Sequence, residues 1–297
     1  MLVILWGALV RATGSGAGCG NHWPLCNGQV IPLSPTLHTI IEFTHRCMTG
    51  GSAFLVIGLL VWSFRATVKG QAARRLAIVS TVLLVNEALL GALLVKLGYV
   101  TNNQSLGRVV MLSVHLSNTL LLLAALTLTA RFLGTGQPWA GLARAKNLDW
   151  AVLGLMATLV VGVSGSLAAL GDTLFPSMSL HAAFAQDFAT TSPWLLRLRG
   201  VHPASALIAA VFVGWLIVRA RRRGASTLGN VVFVLLTFQF VLGIADVLLL
   251  APAWMQILHL LGADLYWIAL LLLAAGVIWP MDQISDPAIT ERLQTAV

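Results

Sequence analysis

The chain has 297 residues, of which 58% are hydrophobic and only 9% charged. So much apolar surface excludes a soluble globular domain and points to an all-α protein that crosses the lipid bilayer several times. The net charge of +8 is not the footprint of a nucleic-acid binder, because the basic residues lie in short segments between apolar runs, where they report orientation.

A membrane span needs about 20 apolar residues. The first candidate, Met1 to about Gly16, has ten apolar residues ahead of Arg11. It lacks the basic start of a signal peptide and reads as a first span whose cytoplasmic end is cut short. Uncharged runs follow at 47–64, 109–130, 150–171, 200–218 and 224–245, and two further segments, 76–97 and 254–279, carry the acids Glu87 and Asp264. The expectation is eight helices. The basic residues divide the loops. Arg65, Lys69, Arg74 and Arg75 lie in the first basic loop, Arg131, Arg144 and Lys146 in the second, and Arg219, Arg221, Arg222 and Arg223 in the third. By the positive-inside rule these loops are cytoplasmic, as are both termini, in a cell (plasma) membrane. Segments 17–38, 98–107, 172–198 and 250–254 then face outward.

Four histidines fall near the outer ends of helices two, four, six and eight: His45, His115, His202 and His259. A histidine at membrane depth is costly unless it pairs or binds a metal. Neutral imidazole is an axial ligand for haem iron, so the arrangement predicts two bis-imidazole sites, His45 with His115 and His202 with His259. The alternative is a set of histidines hydrogen-bonded to neighbouring helices. The two halves of the chain, 1–147 and 148–297, also resemble each other. Met111-Leu-Ser-Val-His115 matches Met255-Gln-Ile-Leu-His259, and Leu83 to Gly91 matches Leu235 to Gly243. Each half has an even number of spans, so the repeats share one orientation and form two four-helix bundles about an axis along the membrane normal. His22, His38 and His181 lie in outer segments and read as solvated.

Glu42 precedes His45 by three positions, on the same helix face, so a carboxylate and a metal ligand address one cavity. The competing reading, a salt bridge to Arg46 four residues on, is compatible with the first. A di-iron site would need a second Glu-x-x-His, and the chain has none. In the second half Arg199 stands three residues before His202. This inequality predicts one reactive haem and one that carries electrons. Arg11 and Arg46, basic residues on the outer side, suit haem propionates because a guanidinium binds carboxylate bidentately. Arg108, Arg197 and Lys96 read as snorkelling to head groups. Cys19 and Cys26 share an outer loop, where a disulfide is the default; zinc with His22 and a redox-active pair are the other readings. Cys47 reads as a small buried residue. Glu87, Asp246 and Asp264 read as functional or interhelical polar contacts facing the bundle interior, with no catalytic role assigned to them. Gly50-Gly51 and Gly162-x-Ser164-Gly165 read as close-packing points between helices.

Taken together, Gly7-Ala-Leu-Val-Arg11-Ala-Thr-Gly-Ser15-Gly16, Trp23-Pro-Leu-Cys26, Glu42-Phe-Thr-His45-Arg46 and the three later helical histidines resemble the haem A synthase family over nearly the whole chain. The resemblance implies eight helices in two four-helix bundles. It implies that the N-terminal half takes the substrate haem O at His45 and His115, and that the C-terminal half holds a haem b cofactor at His202 and His259. It further implies a catalytic part for Glu42 and a disulfide between Cys19 and Cys26. The reaction implied is oxidation of one haem O ring methyl to a formyl group, giving haem A for cytochrome oxidase assembly. The partners implied are a haem O synthase and an electron donor. Family members usually begin with a basic stretch and a full first helix, which this sequence lacks. The rival reading is a di-haem cytochrome b that only transfers electrons.

Overall fold

The computed structural model of this chain describes residues 1–135 and 148–279. Arg144, Lys146, the boundary expected between 147 and 148, and the C-terminal segment 280–297 fall wholly or partly outside the described residues. Among these residues the regular elements are all helices. Their order is α1 (Leu2–Ala12), α2 (Leu37–Ala66), α3 (Ala72–Lys96), α4 (Leu106–Thr135), α5 (Leu148–Leu174), α6 (Leu180–Phe188), α7 (Trp194–Arg197), α8 (Val201–Arg222), α9 (Ser226–Leu248) and α10 (Ala253–Ile278). Short 3-10 turns follow α1 and join α7 to α8.

Seven helices are long and apolar enough to cross a membrane, with α7 and α8 forming one of them. The eighth expected span is the short helix α1: its 11 residues, at about 1.5 Å each, reach only about half of a hydrocarbon core roughly 30 Å thick. The segment 172–198, expected to be an outer loop, contains α6 and α7. Their starts are set locally: the Ser179 side chain accepts the Ala182 amide at 3.2 Å, and Pro193 precedes α7.

The spans are longer than their apolar runs, and this decides where the polar residues lie. Helix α2 begins ten residues before the uncharged run at 47, because Thr36 caps it, accepting the Thr39 amide at 3.2 Å. With 30 residues, α2 is about 45 Å long and outreaches the hydrocarbon core. Glu42, His45 and Arg46 therefore lie in its N-terminal part, inside the helix rather than at its first turn.

Consecutive long helices pack on one another, α1 on α2, α2 on α3 and α3 on α4, then α5 on α8, α8 on α9 and α9 on α10. Helix α10 also packs on α5, α4 and α1. The largest buried apolar cluster runs from Leu120 and Leu123 of α4 through Val213 and Leu216 of α8 to Trp267 and Leu270 of α10. Two sets of hydrogen bonds tie the halves across this contact. The Trp267 indole donates to the Leu120 carbonyl at 2.9 Å, and Arg11 reaches from α1 to α5 and α10. In lipid, helices associate by close packing and such polar ties, since burial from water supplies little.

Candidate functional site

The four helical histidines form two pairs. The His202 and His259 rings lie 6.2 Å apart, centroid to centroid, with their planes at 83°. His45 and His115 are within electrostatic reach of each other across α2 and α4. Each imidazole is seated against a glycine on the helix before its own. A Cβ placed on Gly7 would stand 3.1 Å from His45 Cε1, on Gly91 3.7 Å from His115, on Gly165 2.8 Å from His202, and on Gly243 3.5 Å from His259. Any side chain at Gly165 or Gly7 would displace the ring.

These seats repeat. Gly91 and Gly243 occupy matched positions in the two halves, on α3 and α9, while Gly7 and Gly165 lie on α1 and α5. Glycine spacing alone gives no sign of them. The signal available in the sequence is the internal match of Leu83–Gly91 with Leu235–Gly243, in which the final glycine is the shared residue. Among the expected packing glycines, Gly162 lies against Leu120 and Gly165 against His202, whereas Gly50 and Gly51 meet nothing within 4 Å. That pair is not a packing point, because α2 turns this stretch away from its neighbours.

The donor set fits a metal held between paired imidazoles. His202 Nδ1 lies 3.1 Å from the Val161 carbonyl. A carbonyl only accepts, so Nδ1 carries the proton and Nε2 keeps the lone pair that a metal requires. The 6.2 Å ring separation matches two imidazole–metal bonds of about 2 Å each. Nδ1 of His45, of His115 and of His259 is buried without a hydrogen-bond partner among the described residues. No interhelical hydrogen bond accounts for these three rings.

Glu42 is buried, at 3% exposure, and both its oxygens are engaged. Arg46 Nη2 donates to Oε1 at 2.5 Å, and the Cys19 amide donates to Oε2 at 2.8 Å. Arg46 Nη1 in turn donates to the carbonyls of His22 at 2.8 Å and Leu25 at 2.7 Å. The loop carrying Cys19 and Cys26 is thus clamped onto the outer end of α2. The two cysteines adjoin, with Cα atoms 4.4 Å apart. Gly18 approaches the backbone of His38 and Thr39 so closely that a Cβ could not fit, and its carbonyl accepts from Thr39 Oγ1 at 2.8 Å. Among the described residues no three His, Cys, Asp or Glu side chains converge as a metal-binding group, so zinc at this loop finds no support.

Arg11 donates through Nη1 to the Ala169 carbonyl at 2.7 Å and to Thr173 Oγ1 at 2.8 Å, and through Nη2 to Gln256 Oε1 at 2.7 Å. It joins α1 to both α5 and α10. Arg199 pairs with Asp172 at 2.9 Å and Asp187 at 3.4 Å.

Two expectations need correction. Arg108 does not snorkel to head groups. It is 4% exposed, and its guanidinium donates to the carbonyls of Thr101 and Asn103, closing the loop between α3 and α4. Cys47 is exposed, because the face of α2 that carries Glu42 and Arg46 turns toward the Cys19 loop and leaves Cys47 outside. Glu87 makes the interhelical polar contact expected of it, reaching from α3 to α4 with its carboxylate 3.5 Å from His115 Nδ1.

Comparison with known proteins covers most of the chain. The family model described as COX15-CtaA, cytochrome oxidase assembly protein, matches residues 1–271. The chain is 44% identical over 287 residues to the "Protoheme IX farnesyltransferase" of Thermus thermophilus, a match spanning 94% of this chain and 46% of that protein. The chain therefore spans about half the length of this curated relative. It is 49% identical over 92 residues to the "Heme A synthase" of Shouchella clausii, 31% of each chain. It is 45% identical over 98 residues to that of Bacillus licheniformis, 33% of this chain and 32% of the relative.

Proposed function

This chain belongs to the COX15-CtaA family of cytochrome oxidase assembly proteins, the haem A synthases, and on that premise we propose that it oxidises one ring methyl of haem O to a formyl group, giving haem A. The single observation that carries the reading is the pair of glycine-seated imidazole couples, of which only the first has a carboxylate against a ring, Glu87 at His115, with Glu42 three residues before His45 on the same helix.

His45 and His115 bind the iron of the substrate haem O, and His202 and His259 hold a resident haem b. Haem b, when bound, supplies one-electron redox chemistry for the relay that the oxidation requires. The chain's own residues do the rest. Gly7 and Gly91 let α1 and α3 approach closely enough to fix the planes of His45 and His115. Arg46 and the Cys19 amide hold Glu42 on the helix face of His45. There it exchanges a proton or balances positive charge as the methyl group is hydroxylated in successive steps, water then leaving the geminal diol. A disulfide between Cys19 and Cys26 keeps the outer loop over that carboxylate. Arg11 and Arg46 are the propionate contacts of this reading, each exchanging one carbonyl acceptor for a carboxylate.

The architecture in this reading is two repeat-related four-helix halves, 1–147 and 148–297, with α1 as the shortened member of the first. Arg11 supports the repeat. It follows its glycine seat by four residues and bonds the carbonyl of Ala169, which follows Gly165 by four. The chain lies in the plasma membrane with both termini cytoplasmic. The partners are a haem O synthase and an electron donor; that the Thermus relative is named for farnesyl transfer to protohaem IX supports the first. The test is pigment extraction from a host that supplies haem O and expresses this chain. Haem A in the extract supports the reading. Two haems retained and unchanged would make the protein a di-haem cytochrome b instead.

A further inference from the structure

Glu87 lies in the membrane-spanning part of α3, where a carboxylate is costly unless it is held. It is held on every side. Asn118 Nδ2 donates to its Oε2 at 2.6 Å, and Thr119 Oγ1 donates to its Oε1. Asn118 is itself fixed, since it also donates to the Leu83 carbonyl at 2.9 Å and accepts from Asn86 Nδ2 at 2.8 Å. The remaining group facing the carboxylate is His115 Nδ1, 3.5 Å from Oε1, which has no hydrogen-bond partner of its own. Closing that gap to a hydrogen bond takes about half an ångström.

The second half lacks the whole cluster. The repeat that aligns Gly91 with Gly243 and His115 with His259 sets Asn86 against Phe238, Glu87 against Gln239, Asn118 against Gly262 and Thr119 against Ala263. Gln239 lies tightly against Gly262, where the first half has Asn118, and its Nε2 is buried without a hydrogen-bond partner. His259 Nδ1 likewise has none. One imidazole of the matched pair faces a part-buried carboxylate and the other does not.

A carboxylate on the distal nitrogen of a metal-bound imidazole fixes its tautomer and raises its basicity as a ligand. Hydrogen bonding beyond the axial ligand is also one of the levers that set a haem potential. We propose that Glu87 is a positioning residue for the reacting half: it takes the Nδ1 proton of His115 in a hydrogen bond, presents Nε2 to the iron of the bound haem, and makes that iron easier to oxidise than the iron held by His202 and His259. This deepens the proposed function and rests on its assignment of His115 as an iron ligand.

The test is a spectroelectrochemical titration of the full chain purified from a haem O-supplying host, comparing wild type, Glu87→Gln and Gln239→Glu. The signal of the first half is identified as the one removed by His115→Ala. Glu87→Gln keeps the size of the side chain; its one amide oxygen can accept from Asn118 while its NH2 group donates to the Thr119 hydroxyl, so a purely structural role leaves both potentials in place. The expected result is an upward shift of the first-half potential alone, with both haems retained. Gln239→Glu is expected to lower the second-half potential, which tests the proposal even where the first variant fails to fold. Both potentials unmoved in both variants overturns the role of Glu87 while leaving the haem sites intact. A wild-type protein without any haem overturns the proposed function and this inference with it.

Discussion

The two halves of the chain share a way of holding an imidazole and differ in what surrounds it. In both, two histidines in the N-terminal parts of alternate spans rest on glycines of the preceding spans. In the first half, Glu42 stands on the helix face of one imidazole and Glu87 faces the other, and the Cys19 loop is clamped over Glu42 by Arg46. In the second half the corresponding polar positions are Gln239, Gly262 and Ala263, and Arg199 is committed to Asp172 and Asp187. One histidine pair is thus decorated and the other plain. The plain site suits a group that stays bound and exchanges electrons, and the decorated one suits a group that is chemically altered.

The largest effect that separates the halves is expected at Glu42. Glu42→Ala should lower haem A formation by about 10²-fold or more, the usual scale for a lost proton-transfer group, while haem remains bound in both halves. Undiminished product would remove the distinction. Next is the glycine series. Alanine at Gly165, whose Cβ would stand 2.8 Å from His202, should abolish haem occupancy of the second half. Gly7→Ala, at 3.1 Å from His45, should impair the first half. Gly243→Ala and Gly91→Ala, at 3.5 and 3.7 Å, should be tolerated. Haem-to-protein ratios by pyridine haemochrome analysis check the order, and equal tolerance of all four would show that the seats do not position the rings.

Arg11, besides its proposed propionate contact, ties α1 to α5 and α10. Arg11→Met removes its hydrogen bonds to Ala169, Thr173 and Gln256. At about 1.5–3 kcal/mol for a hydrogen bond to a charged group, it should lower the thermal unfolding midpoint in detergent by several degrees. An unchanged midpoint would mean that α1 is not a tie between halves. The smallest effect is expected at Gly50 and Gly51, which face open space. Their replacement by Ala should leave haem content unaltered and change stability by no more than about 1 kcal/mol, the helix-propensity gain itself.

Much of this is legible in the residues alone. The apolar runs place His45, His115, His202 and His259 in the N-terminal parts of their spans, where the structure has them. The pairing of Glu42 with Arg46 follows from a four-residue helical spacing. What the sequence hides is contact between segments distant along the chain. Nothing near Glu42 announces that its second oxygen is taken by the amide of Cys19, because backbone donors leave no trace in residue identity. Arg108 reads as a surface cation until the loop it closes is seen. Glu87 reads as a generic interior acid because its partners, Asn118 and Thr119, lie on the next helix. The extent of α2 is hidden for another reason. Hydropathy reports the apolar run from 47, whereas the helix start is set by the side chain of Thr36, outside the membrane core.

The account stands most directly on the haem content of the purified chain and its His259→Ala variant, measured by absorption spectroscopy after expression with a haem O source. Two bis-histidine haems in the parent and loss of only the second-half haem in the variant are the expected result. A parent without a Soret band, or a variant with both haems and an unaltered spectrum, would contradict it.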